Sequence, residues 1–167
     1  QFIKVQDDFS LLQLTVKRAL ELDIRGKIYI ITLKKQMEAV LEECRDFLPG
    51  GKIAVIPEPE ARNTAPAIGL AARYMELSGE ADSSLLVLPA DHMISNTAMF
   101  TDCVEKADIL SRKGFLVTFG IKPLYPETGY GYIEQGEKEE PGYRIRAFRE
   151  KPDGETARKY IDSGRCL

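Results

Sequence analysis

The chain has 167 residues, 44% hydrophobic and 29% charged, a balance that suits a folded globular domain and excludes a disordered or fibrous protein. A net charge of −3 argues against a broad nucleic-acid surface, and the longest apolar runs are far short of a membrane span. The start of the chain lacks the charged-then-apolar layout of a secretory leader, so a cytoplasmic protein is expected, with neither nucleic acid nor membrane as a partner.

In chain order, Ser10-Leu11-Leu12-Gln13 reads as a capping box opening a helix whose stripe is Leu12, Val16, Ala19 and Leu20, ending before Gly26. Residues 28–31 (Ile-Tyr-Ile-Ile) form a short buried-type strand. Met37, Val40, Leu41, Cys44 and Leu48 give the apolar face of a second helix. Ile53–Ile56 is the next strand, stopped by Pro57 and Pro59. Thr64 is placed to cap a third helix that takes Pro66 in its first turn, buries Ile68, Ala71, Ala72 and Met75, and stops at Gly79. Leu85–Leu88 is a further strand, a helix carrying Phe100, Val104, Ala107 and Leu110 follows, and Phe115–Phe119 is another strand. This alternation predicts an α/β fold, three layers around a mostly parallel sheet. After Gly120 the pattern changes: 130–134 and 143–149 read as a β-ribbon that extends the sheet in mixed or antiparallel fashion. A last helix over 154–163 is capped by Asp153 and ends at Gly164. No repeat or low-complexity tract divides the chain, so 1–167 is expected to be one domain.

Cys44, Cys103 and Cys166 are odd in number and form no C-x-x-C pair, which argues against a zinc site or a disulfide frame and favours Cys44 and Cys103 as small core residues on helices.

Chemistry is suggested at four places. Asp91 stands just past the strand Leu85–Leu88, at the sheet edge where α/β proteins bind ligands; a carboxylate there can hold Mg²⁺ against a phosphate, or simply cap a turn. His92, the single histidine, more naturally satisfies backbone groups of that turn than acts as a general base. Arg62-Asn63-Thr64 opens a helix, where backbone N–H groups and a guanidinium favour an anion, though capping alone would also explain it. Gly129 and Gly131 flank Tyr130 at a strand start, a pattern of either a bulge or close ligand approach. Glu150 can accept hydrogen bonds from sugar hydroxyls and Lys151 can grip a phosphate, or both can be a solvated strand end.

Taken together, the strings Glu58-Pro59, Arg62-Asn63-Thr64-Ala65-Pro66-Ala67-Ile68, Leu88-Pro89-Ala90-Asp91-His92, Thr118-Phe119-Gly120-Ile121, Pro126 through Ile133, and Phe148 with Glu150-Lys151-Pro152 resemble the mannose-1-phosphate guanylyltransferase (GDP-mannose pyrophosphorylase) family, the long bacterial type often fused to a phosphomannose isomerase. Gln1-Phe2 resembles the tail of that family's P-K-Q-F segment. The resemblance implies a Rossmann-like nucleotidyltransferase sheet with a sugar-binding mixed extension. It implies transfer of GMP from GTP to α-D-mannose 1-phosphate, giving GDP-mannose and pyrophosphate with Mg²⁺, and leaves a homo-oligomer open. By position, Asp91 matches the metal ligand, and Arg62, Asn63 and Thr64 match part of the nucleotide loop. Tyr130 and Gly131 would line the mannose, Glu150 would hold its hydroxyls, and Lys151, the catalytic cation, its phosphate. His92 is then dispensable, because a sugar phosphate is already an anionic nucleophile. The family's glycine-rich T-R-L loop before Gln1, and its W-N-S-G-M-F segment with a second acidic ligand after Leu167, do not occur in this chain. The chain is accordingly expected to be an internal, partial nucleotidyltransferase domain, binding substrates weakly and inactive by itself. Two other readings stay open: a sister sugar-1-phosphate nucleotidyltransferase using another base or sugar, and a non-catalytic nucleotide-sugar-binding module.

Overall fold

The computed structural model describes residues 2–6, 8–22 and 25–167, the side chain of Gln6 excepted. The chain forms two compact units, Gln1–Thr97 and Ala98–Leu167.

In the first unit, strands β1 (Lys4–Gln6) and β2 (Phe9–Ser10) lead into helix α1 (Leu11–Glu21). Ser10 and Gln13 form the expected capping box, with Gln13 N–H donating to Ser10 Oγ at 3.2 Å and Ser10 N–H to Gln13 Oε1 at 2.9 Å. Gln13 also donates through Nε2 to the Glu43 carbonyl at 2.8 Å, so one residue caps α1 and ties it to the next helix. Strand β3 (Ile28–Leu33) pairs in parallel with β4 (Ile53–Glu58), Ile28 opposite Ile53 through Leu33 opposite Glu58. Between them the expected second helix is broken: α2 (Met37–Glu43) is flanked by 3-10 turns at Lys34–Gln36 and Arg45–Phe47. Leu12, Val16, Val40, Cys44 and Ile53 form the core, with Ile28, Ile30, Val55 and Ala90 packed on it. Burying each of the larger aliphatic side chains contributes roughly 1.5–3 kcal/mol. Burial pushes the Cys44 thiol up to about 11, which keeps it an inert packing group. Helix α3 (Thr64–Leu77) turns Ala71 and Met75 inward and sets the Tyr74 ring edge-on to Tyr29 of β3, centroids 5.5 Å apart. It ends in a Schellman turn: Gly79 at φ 80° donates to the Glu76 carbonyl, and Glu80 N–H donates to the Met75 carbonyl.

In the second unit, α4 (Thr97–Arg112) buries Phe100 and Leu110. Strands β5 (Tyr132–Glu139) and β6 (Gly142–Arg149) form an antiparallel ribbon that turns through the cis Glu140–Pro141 bond. The ribbon is longer than the sequence suggested, because the polar run 135–142 stays in the ladder almost to its tip. On its other edge β5 pairs with the chain's last residues, Ile133 and Leu167 exchanging both backbone hydrogen bonds. Helix α5 (Gly154–Ser163) is capped by Asp153, which accepts from Thr156 N–H at 2.8 Å, and closes at Gly164 with φ 65°. Tyr132, Ala157 and Cys166 form this unit's core, with Tyr160 and Ile161 against it.

The architecture is mixed α/β, as expected, but three further local readings change. Pro57 does not stop β4; it sits inside the ladder opposite Thr32. Among the described residues β4 has only β3 as a neighbour, and an edge strand tolerates a missing N–H. The runs Leu85–Leu88 and Phe115–Phe119 join no ladder among the described residues, and Leu85, Val87, Leu116 and Phe119 are exposed. An apolar run supplies the burial incentive for a parallel strand but not the flanking carbonyls and N–H groups that must receive it. Ala72 of α3 is exposed instead of buried. No helix among the described residues is long and apolar enough to cross a membrane.

Candidate functional site

In the first unit Arg62, Asn63 and Thr64 follow the carboxyl end of β4. Leu33 at the end of β3, Lys34 and Lys35 after it, and Pro59, Glu60 and Ala61 after β4 line a shallow depression of about 540 Å³. In open α/β sheets, ligands commonly bind at the carboxyl ends of the strands. Arg62 follows directly. Its Nε and Nη2 donate to Glu60 Oε2 at 3.0 and 2.7 Å, an exposed ion pair that contributes about 0–1 kcal/mol. Asn63, not Thr64, is the N-cap of α3, and Thr64 is the helix's first residue. The reason is backbone geometry: Asn63 lies at φ 64°, ψ −168°, a region almost confined to glycine and costing other residues roughly 1–3 kcal/mol. Its side chain makes no capping hydrogen bond and the first turn carries no acidic residue, so the partial positive charge of the helix start has no carboxylate from α3 beside it.

Asp91 lies in the exposed turn after 84–89. Ala90 beside it packs on the core, and Arg18 Nη2 donates to the His92 carbonyl at 3.4 Å, so the turn is attached to α1. Arg18 is itself buried, held by Thr15 Oγ1 at 3.1 Å. His92 thus meets Arg18 through its backbone, in keeping with a structural place in the turn. No group of three His, Cys, Asp or Glu residues gathers among the described residues. A lone, exposed carboxylate does fit Mg²⁺, which takes one or two carboxylates and completes its shell with phosphate oxygens and water.

In the second unit the four sugar-side candidates meet at one end of the ribbon. Tyr132 pairs with Arg149, so Gly131 and Glu150 sit just outside the last ladder pair. A Cβ at position 131 would lie 3.3 Å from Glu150 Oε2, the tip of an exposed side chain that can give way, and at an ordinary 3.6 Å from the Arg149 carbonyl, so Gly131 lies beside Glu150. Lys151 Nζ lies 3.3 Å from the other oxygen, Glu150 Oε1, and its backbone is at φ 34°. Tyr130 presents its ring to solvent. Two of the three positive-φ non-glycine residues among those described, Asn63 and Lys151, are therefore candidate site residues. Such outliers concentrate at functional sites.

Four residues carry more of this geometry than their sequence context suggested. Glu60 neutralises Arg62, Arg18 anchors the Asp91 turn, and Glu127 and Tyr132 shape the loop before Gly131. Only Glu127 left a sequence signal, an acidic residue two before a glycine in a turn. Arg18 was masked because a charged helix residue reads as solvent-facing, and Tyr132 because an aromatic in a strand reads as packing.

Comparison with known proteins agrees with the fold. A family model described as nucleotidyl transferase matches residues 1–166. Mannose-1-phosphate guanylyltransferase 2 of Escherichia coli O157:H7 is 40% identical, covering 98% of this chain and 36% of that protein. Mannose-1-phosphate guanylyltransferase RfbM of Salmonella typhimurium (strain LT2) is 42% identical, covering 99% of this chain and 34% of that protein. A crystal structure from Thermus thermophilus, named mannose-1-phosphate geranyltransferase, superposes with a TM-score of 0.84 at 31% identity, over 99% of this chain and 47% of that one. One from Helicobacter pylori, named mannose-6-phosphate isomerase, gives 0.82 at 32% identity, over 99% and 61%. The chain spans about a third of the length of the curated relatives it matches.

Proposed function

This chain belongs to the nucleotidyl transferase family, and from that membership we propose that the protein transfers GMP from GTP to α-D-mannose 1-phosphate, giving GDP-mannose and pyrophosphate. Relatives 40% and 42% identical carry the name mannose-1-phosphate guanylyltransferase, which supports this choice of base and sugar. The observation that carries the reading is the meeting of Gly131, Glu150 and Lys151 at one ribbon end, a backbone, a carboxylate and an ammonium group together. That set suits a hexose with an anionic tail: Glu150 accepts from vicinal hydroxyls, Gly131 lets the ring approach the backbone, and Lys151 holds the phosphate.

A phosphate oxygen of the sugar attacks the α-phosphorus of GTP, a P–O bond forms, the bond to pyrophosphate breaks, and the leaving group departs as an anion. The nucleophile is already ionised, so no strong base is needed, and the protein contributes position and charge. Arg62, Asn63 and the start of α3 hold the nucleotide's anionic part in this scheme. Asp91 would hold Mg²⁺, whose chemistry is to neutralise charge on the triphosphate. The test pairs GTP, ATP, UTP and CTP in turn with mannose, glucose and fucose 1-phosphates on the full-length protein, reading pyrophosphate release and identifying the product. GDP-mannose as main product is expected. A different nucleotide sugar would overturn the assignment.

A further inference from the structure

The loop that ends at Gly131 belongs to no helix or strand from 126 to 131, so something other than a ladder must fix it. Two side chains do. Glu127 Oε1 accepts from the N–H groups of Thr128 and Gly129, both at 2.8 Å. The Tyr132 hydroxyl accepts from Glu127 N–H and donates to the Glu127 carbonyl, both at 3.0 Å. Tyr132 is only 3% exposed, packed with Ala157 and Cys166 and tilted against the Tyr160 ring at 5.5 Å. A phenol serves as a rigid strut here: its ring is fixed by the core, and its hydroxyl serves both the donor and the acceptor of one peptide position.

We infer that Tyr132 is the positioning residue of the sugar side, holding Glu127, and through it Thr128 and Gly129, so that Gly131 stands beside Glu150. Resting on the sugar-side reading above, the inference goes beyond it by assigning a role to a residue that touches no substrate. A residue placed only to fill the core would not need its hydroxyl, since Phe offers the same ring. The hydroxyl's two described bonds both go to the loop.

The experiment uses Tyr132→Phe in the full-length protein, with Glu127→Ala as a second variant that leaves the core untouched and Glu127→Gln as the version that keeps an acceptor oxygen. Hydrogen exchange of the amides of 127–129 is expected to quicken in Tyr132→Phe. KM for mannose 1-phosphate should rise about tenfold, equivalent to about 1.4 kcal/mol. KM for GTP and kcat should stay within about twofold. Glu127→Ala should shift the same KM, and Glu127→Gln should largely restore it. Unchanged exchange overturns the strut. Faster exchange with an unchanged sugar-phosphate KM, in a protein that does use mannose 1-phosphate, overturns the positioning role alone. Wild-type protein that does not turn over mannose 1-phosphate sinks the proposed function before any variant is made, and the sugar role of Tyr132 with it.

Discussion

Asn63 offers a way to separate strain from recognition at one residue. Its φ of 64° and ψ of −168° place it where only glycine rests comfortably. Replacing it by Gly releases roughly 1–3 kcal/mol of backbone strain. About 0.5–1 kcal/mol is returned to the unfolded chain as glycine's extra freedom. The balance is a gain of about 0–2.5 kcal/mol, and each kcal/mol is expected to move the melting temperature of a domain this size by about 2–4 °C. Asn63→Ala keeps the strain and loses the tolerance of Asn for positive φ, so it should fall below wild type. Both variants lack the amide. If that amide bonds the nucleotide, both should raise KM for GTP by roughly 3- to 10-fold, the scale of one hydrogen bond. Thermal unfolding and steady-state kinetics on the two variants side by side are the assay. Asn63→Gly melting below Asn63→Ala would refute the strain argument, and a GTP KM raised only in Asn63→Ala would mean that the backbone, not the amide, meets the nucleotide.

Three further outcomes are expected. Lys151→Ala should leave the melting temperature nearly unchanged and lower kcat/KM for mannose 1-phosphate about 30- to 1,000-fold, the loss of a charged phosphate contact of roughly 2–4 kcal/mol; unaltered kinetics would remove Lys151 from the site. Asp91→Asn should shift the Mg²⁺ titration of activity to higher metal, and an identical titration curve would assign the metal elsewhere. Burial, with Glu80 accepting from the phenol at 2.9 Å, pushes Tyr29 up to about 12 from its usual 10. The folded protein therefore favours the protonated phenol, so this stabilisation is complete below about pH 10 and lost as pH rises towards 12. Tyr29→Phe should flatten the decline of stability across that window in denaturant titrations; an unchanged slope would contradict the assignment.

What the sequence determined by itself is whatever short-range chemistry dictates. Ser10 with Gln13, Asp153, Gly79 and Gly164 mark helix ends because a cap or a left-handed turn needs only its neighbours in the chain. The stripes through Leu12 and Val16, and through Ala71 and Met75, were legible for the same reason. The residues proposed for the sugar side came from a resemblance carried by strings such as Glu150-Lys151-Pro152, not from local chemistry. Tertiary structure alone decided which strand finds a partner. Ile53–Ile56 and Leu85–Leu88 look alike as apolar runs, yet only the first lies in a ladder among the described residues. It also decided where side chains land: Arg62 on Glu60, Arg18 on the His92 carbonyl, the Tyr132 hydroxyl on the Glu127 peptide, Glu150 against Gly131. Hydrogen bonds and close contacts depend on distances of a few tenths of an ångström between residues up to 74 positions apart, and a local pattern holds no information on that scale.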